Sequence, residues 1–167
     1  MNLRGCNTIS DEAFDGLEEC SLRVINLSHC SRLTSASLIA LGSSCRDINR
    51  ISLQGVPKFC DTGLAPLARQ CPLQEIDLSA ARLGNVPRFG SRGLIALGQN
   101  CGGLRVLRAS YCSKIDDASI IAIAKGCPRL EVIYVKRCYK LSDKALVAVG
   151  KNCHFLRRID ISSCRDM

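Results

Sequence analysis

The 167-residue chain is 47% apolar but only 4% aromatic, so it is long enough to bury a core, and that core must be built from Leu, Ile, Val, Ala and Cys. No apolar run approaches the roughly 18 residues of a membrane span, and Met1-Asn-Leu-Arg-Gly-Cys6 carries no secretory leader pattern. Twelve cysteines in such a context are expected to be reduced thiols of an intracellular chain, cytoplasmic or nuclear, rather than a disulfide framework.

Leu3 and Cys6 read as the tail of a repeat whose beginning is missing, and the acidic segment from Asp11 to Cys20 reads as a short helix. The first complete strand pattern is Leu22-x-x-Ile25-x-Leu27-x-x-Cys30. It returns from Ile48 to Val56, Leu73 to Ala81, Leu104 to Cys112, Leu130 to Cys138 and Leu156 to Cys164. Alternation over its last positions is a period-two strand signal.

Between the strands, Asp11, Ser35, Asp61, Ser91, Asp117 and Asp143 each open an apolar segment at helical spacing, which marks them as expected N-caps. Leu38, Leu41, Gly42 and Cys45 form one helical stripe, and Ile120, Ile123, Ala124 and Cys127 another. The small residues late in each stripe are expected to let helix and strand backbones approach closely. Closing cysteines fall at 20, 45, 71, 101, 127 and 153, a period of about 26 that marks a solenoid. The single long interval, 30, comes from extra residues between Ala81 and Ser91, rich in Gly and Pro and therefore a loop. The whole chain, 1–167, reads as one domain of about six repeats, with both ends cutting through a longer array.

No cysteine pair has zinc-ligand spacing, so the thiols are expected in the core, with Cys60 outside both ladders and the most exposed. His29 and His154 flank ladder cysteines, but adjacent strand residues point to opposite faces, and no phosphate-binding loop follows a strand. No catalytic residues, metal or cofactor are expected, and the function class is binding.

Leu-x-x-Ile-x-Leu-x-x-Cys, a Ser/Thr-Asp helix start as in Leu141-Ser-Asp143 and Ile9-Ser-Asp11, and a closing Leu-x-x-Leu-(Ala/Gly)-x-x-Cys together resemble the cysteine-containing leucine-rich repeat. The resemblance implies an α/β leucine-rich-repeat solenoid, a horseshoe arc with a parallel sheet on the concave face and helices on the convex face. It extends to the repeat region of F-box proteins, the substrate-recognition subunits of cullin-type (SCF) ubiquitin ligases. F-box-less antagonist-of-mitotic-exit-network proteins, which act as scaffolds or regulators without ubiquitin transfer, fit as well. Nothing in the chain matches an F-box, so a cullin-ligase adaptor is implied only if an F-box lies outside it.

Strand phase predicts the concave columns. The central one is Asn26, Ser52, Asp77, Arg108, Tyr134 and Asp160; flanking it are Arg50, Glu75 and Arg158 on one side and Gln54, Ser110 and Lys136 on the other, with Ser28 and Ser79. The partner-binding residues expected from this phase are Arg50, Asp77, Arg108, Tyr134, Lys136, Arg158 and Asp160. Residues 1–20 hold one Arg and five acids, whereas residues 101–167 hold thirteen Lys/Arg and six acids. The formal +8 therefore gathers toward the C-terminal repeats and favours a protein partner that is acidic or phosphorylated. Glu75, Asp77 and Asp160 interrupt any continuous basic track, so nucleic acid is not the expected partner.

Overall fold

The computed structural model describes residues 1–17, 20–80 and 89–164. Ile25, Ile51, Ile76, Leu107 and Ile133 are all at most 3% exposed, each the middle residue of a three-residue strand whose flanking residues face outward. The strands are β1 (Val24–Asn26), β2 (Arg50–Ser52), β3 (Glu75–Asp77), β4 (Val106–Arg108), β5 (Val132–Tyr134) and β6 (Arg158–Asp160). They form one parallel sheet in chain order, in register at every step. Five helices of ten residues alternate with them: α1 (Ser35–Ser44), α2 (Asp61–Gln70), α3 (Ser91–Asn100), α4 (Asp117–Gly126) and α5 (Asp143–Asn152). This is the α/β solenoid that the repeat spacing predicts, with the core between sheet and helix row.

The N-terminal repeat is slighter than its pattern suggests. Asp11–Phe14 is a single 3₁₀ turn, and the strand before β1 is reduced to a bridge from Asn2 to Asn26. Without a full helix before it, Cys20 is exposed, whereas Cys60 is half-buried, so the most exposed thiol is not the one expected. At the other end Ile159 is 41% exposed, because β6 has no strand neighbour on its far side among the described residues. The segment expected as an inserted loop, from Ala81, lies outside the described residues except for Phe89 to Ser91. Phe89 is fully buried, its ring 6.5 Å from that of Phe59.

The N-caps sit one residue earlier than expected, at Ser10, Thr34, Cys60, Gly90, Asp116 and Ser142. The residues read as caps occupy the first helical position, and four of them reach across to the next repeat instead. Asp11 accepts the backbone N–H and hydroxyl of Thr34 at 2.8 and 2.6 Å, and Asp117 accepts those of Ser142 at the same distances. Asp61 takes the Gly90 N–H at 2.8 Å, and Ser35 Oγ takes that of Cys60 at 3.2 Å. A short oxygen is required here by the neighbouring layer rather than by the helix it opens.

The small stripe residues also act between layers. A Cβ on Gly98 of α3 would strike the backbone of Ala122 in α4, and one on Gly126 would land on the Gly98 carbonyl. The close approach is thus helix to helix, not helix to strand as expected, and only glycine allows it there.

Cysteine recurs for a reason beyond size. Cys30, Cys112, Cys138 and Cys164 donate S–H to the carbonyls of Leu3, Leu78, Ala109 and Val135 at 3.0–3.4 Å, each in the preceding repeat. Cys71, Cys101 and Cys127 do likewise toward Cys45, Cys71 and Cys101 at 3.4–3.8 Å. The thiol fills the volume of a small hydrophobe while offering a weak donor to a buried carbonyl.

Candidate functional site

Side chains on either side of each buried strand residue form the sheet's outer face. Register brings Asn26, Ser52, Asp77, Arg108, Tyr134 and Asp160 into one column and Val24, Arg50, Glu75, Val106, Val132 and Arg158 into another. Adjacent rungs of a sheet lie about 4.8 Å apart, so a side chain of one repeat touches that of the next.

The face divides into two halves. Toward the N-terminus Arg50 Nε lies 3.3 Å from Glu75 Oε1, and a shallow groove of about 240 Å³ is bounded by Arg50, Glu75, Asp77 and Arg108. Here charge is largely satisfied within the sheet. Toward the C-terminus the Arg108 guanidinium stands over the Tyr134 ring, 5.8 Å from its centre. Arg108, Lys136 and Arg158 have no carboxylate within 4.0 Å among the described residues. A guanidinium over a ring, with one further cation on the ring's own rung and one on the next, presents several donors to one anionic group.

The acids of the central column are less free than the strand pattern suggests. Asp77 and Asp160 each turn back to accept the backbone N–H two residues on, at Ser79 and Ser162, both at 2.9 Å, and Asn26 does the same at Ser28. Hydrogen bonds from Ser162, and then the nearby Lys136 ammonium, hold the Asp160 carboxyl below its ordinary pKa. These two carboxylates shape the strand end before they meet any partner. Ser28 and Ser79, expected on the open face, are buried: each follows such a turn, and Ser28 Oγ lies 2.7 Å from Ser52 Oγ. Asn/Asp followed two residues later by Ser is a turn signature readable in the sequence.

The strand pattern also passes over a second tier at the rim. His29, Gly55, Tyr111, Arg137 and Ser163 occupy one repeat position and all adopt positive φ, between 58° and 67°, as the chain swings out of every strand but β3. Two of them form another stacked pair: the Arg137 guanidinium lies 5.6 Å from the centre of the Tyr111 ring. Of the seven residues expected at the site, Arg108, Tyr134, Lys136, Arg158 and Asp160 fall in the C-terminal half with this pair beside them. Arg50 and Asp77 belong to the self-paired half.

Among the described residues no group of three or more His, Cys, Asp or Glu side chains is placed to hold a metal ion, and no helix is long and apolar enough to cross a membrane. No family model matches the chain. It is similar to a chain in the crystal structure of a Rad7–Elc1 complex from yeast, with 14% identity and a TM-score of 0.42. The match covers 99% of this chain and 62% of that one, so the present chain spans less than two thirds of its neighbour's length.

Proposed function

We propose that the chain is a non-catalytic protein-interaction module that grips an acidic or phosphorylated segment of a partner across the C-terminal half of its sheet. The observation that carries this reading is the row formed by Arg108, Tyr134, Lys136 and Arg158 on three adjacent rungs, a ring and three cations with no carboxylate within 4.0 Å among the described residues. Tyrosine and arginine dominate the energetics of protein interfaces, and a bidentate guanidinium suits carboxylate and phosphate alike. Within that class, the resemblance of the repeats to those of F-box proteins supports the substrate-recognition region of a cullin-type ubiquitin ligase, with the adaptor engaged by a segment outside this chain.

Affinity capture from cell extract tests the reading, with the native chain, the variant Arg108→Glu/Tyr134→Ala/Lys136→Glu, and a convex-face control, Lys125→Glu/Lys151→Glu. Proteins retained by the native chain and the control but lost with the first variant are the expected result. Equal retention by all three would overturn it. Cullin adaptors co-purifying with a longer form of the protein, and not with this chain, would support the ligase assignment. Retention on immobilised DNA that disappears with salt would instead mark nucleic acid as the partner.

A further inference from the structure

The convex side carries a second surface that the strand face does not explain. At the fifth position of the helices stand Ile39, Ala65, Ile95, Ile121 and Val147, so α2 alone has a methyl where its neighbours have a branched side chain. Between α2 and α3 lies a groove of about 590 Å³. Its floor is Ala65, Ile95 and Ala96, and Arg69, Arg92 and Lys114 line its sides. None of these three cations has a carboxylate within 4.0 Å among the described residues. The one acid of the lining, Asp61, is already engaged by the Gly90 N–H at 2.8 Å. Thr62 lines the groove too, and Pro66, four residues on, has no N–H to give to its carbonyl, so α2 presents an acceptor there.

We propose that this groove docks an acidic, amphipathic segment of a partner protein, an aliphatic side chain seated over Ala65 with flanking carboxylates on Arg69, Arg92 and Lys114. Charge complementarity commits the occupant: an apolar floor between unpaired cations disfavours a basic or purely polar peptide, which would leave either the floor or the cations unmatched. The site is independent of the strand face, lying on the opposite side of the solenoid, and needs no part of the sheet to be occupied.

Cys60, at the groove's N-terminal end, supplies a reporter. Burial pushes its thiol up, but hydrogen bonds with Ser35 Oγ at 3.2 Å and Thr62 Oγ1 at 3.0 Å outweigh this and leave it below its ordinary pKa. It should therefore alkylate while the buried ladder thiols do not.

The test is selection of a random twelve-residue peptide library on the folded chain, followed by iodoacetamide footprinting of Cys60 with the selected peptides. Peptides rich in Asp, Glu, Leu and Ile should emerge, slow Cys60 alkylation at least fivefold and leave exposed Cys20 unaffected. Ala65→Ile installs the residue of the sibling repeats, so it should fold normally and weaken binding at least tenfold; Arg69→Glu/Arg92→Glu should do the same. Arg108→Glu/Lys136→Glu on the sheet should change nothing. The proposal falls if no acidic-apolar sequence is enriched, or if the selected peptides fail to protect Cys60. It also falls if they bind the Ala65→Ile chain undiminished, or are lost only with the sheet variant.

Discussion

Each buried ladder cysteine combines three properties in one small side chain: it fills volume, it donates weakly to a carbonyl of the preceding repeat, and burial disfavours its ionisation. Burial pushes Cys101 up to about 11 and Cys71, Cys127 and Cys138 to about 12, and raises Cys112 as well. A raised folded-state pKa means that the unfolded chain gives up its protons first. Stability from these thiols is therefore complete below their ordinary value of 9.0 and falls as pH climbs from there toward 12. Each titrating thiol contributes up to about 1.4 kcal/mol per pH unit in that window. Urea denaturation of the reduced protein between pH 8 and 11 should show this loss, with a shallower slope for Cys127→Ala than for the native chain once each is normalised to its stability at pH 8. An equal slope for the two would mean that the ladder thiols are already accessible in the folded state.

At the scale of the elements, what couples one layer to the next is the residue at the first helical position. Removing Asp117 leaves the backbone N–H and hydroxyl of Ser142 without their acceptor, and Asp117→Ala is expected to cost about 1–2 kcal/mol in chemical denaturation. Asp143→Ala is the matched control: its side chain is exposed and takes no such inter-repeat bond among the described residues, so a change within about 0.5 kcal/mol is expected. Equal costs would assign Asp117 a local helix-start role and remove the inter-layer account. The layer order, the strand phase and the helix stripes were legible in the sequence because period two and period 3.6 alternate at a fixed spacing. The partners of Asp61 and Asp117 were not, since a short oxygen before an apolar helix looks the same whether it caps its own helix or the neighbouring layer. Likewise Arg108 and Tyr134 could be placed on the open face from their phase, while the Tyr111–Arg137 stack required knowing that the chain turns through positive φ just there.

For the whole molecule the limiting quantity is area. Six strands about 4.8 Å apart, with some five residues each on or beside the face, present on the order of 400 Å², well below the roughly 800 Å² per partner of a stable interface. A partner must therefore reach past the sheet onto the rim, where Tyr111 and Arg137 stand. Arg137→Glu should weaken capture of whatever protein the sheet face binds, and association should slow as salt is raised, with a smaller salt dependence for Arg108→Glu than for the native chain. Association rates by surface plasmon resonance check both; a salt-independent rate would separate binding from the uneven charge.

The central claim is that Tyr134 faces a partner while its neighbour Ile133 faces the core. Parallel thermal unfolding and partner-capture measurements on Tyr134→Ala and Ile133→Ala test it most directly. Tyr134→Ala should leave the melting temperature close to that of the native chain and weaken binding by about 2 kcal/mol or more, as truncation of an interface anchor does. Ile133 is 1% exposed, and Ile133→Ala should cost about 2–5 kcal/mol of stability. A chain that unfolds when Tyr134 is truncated and tolerates the loss of Ile133 would contradict the strand phase and every assignment on the outer face. Full binding by a folded Tyr134→Ala chain would contradict the site alone.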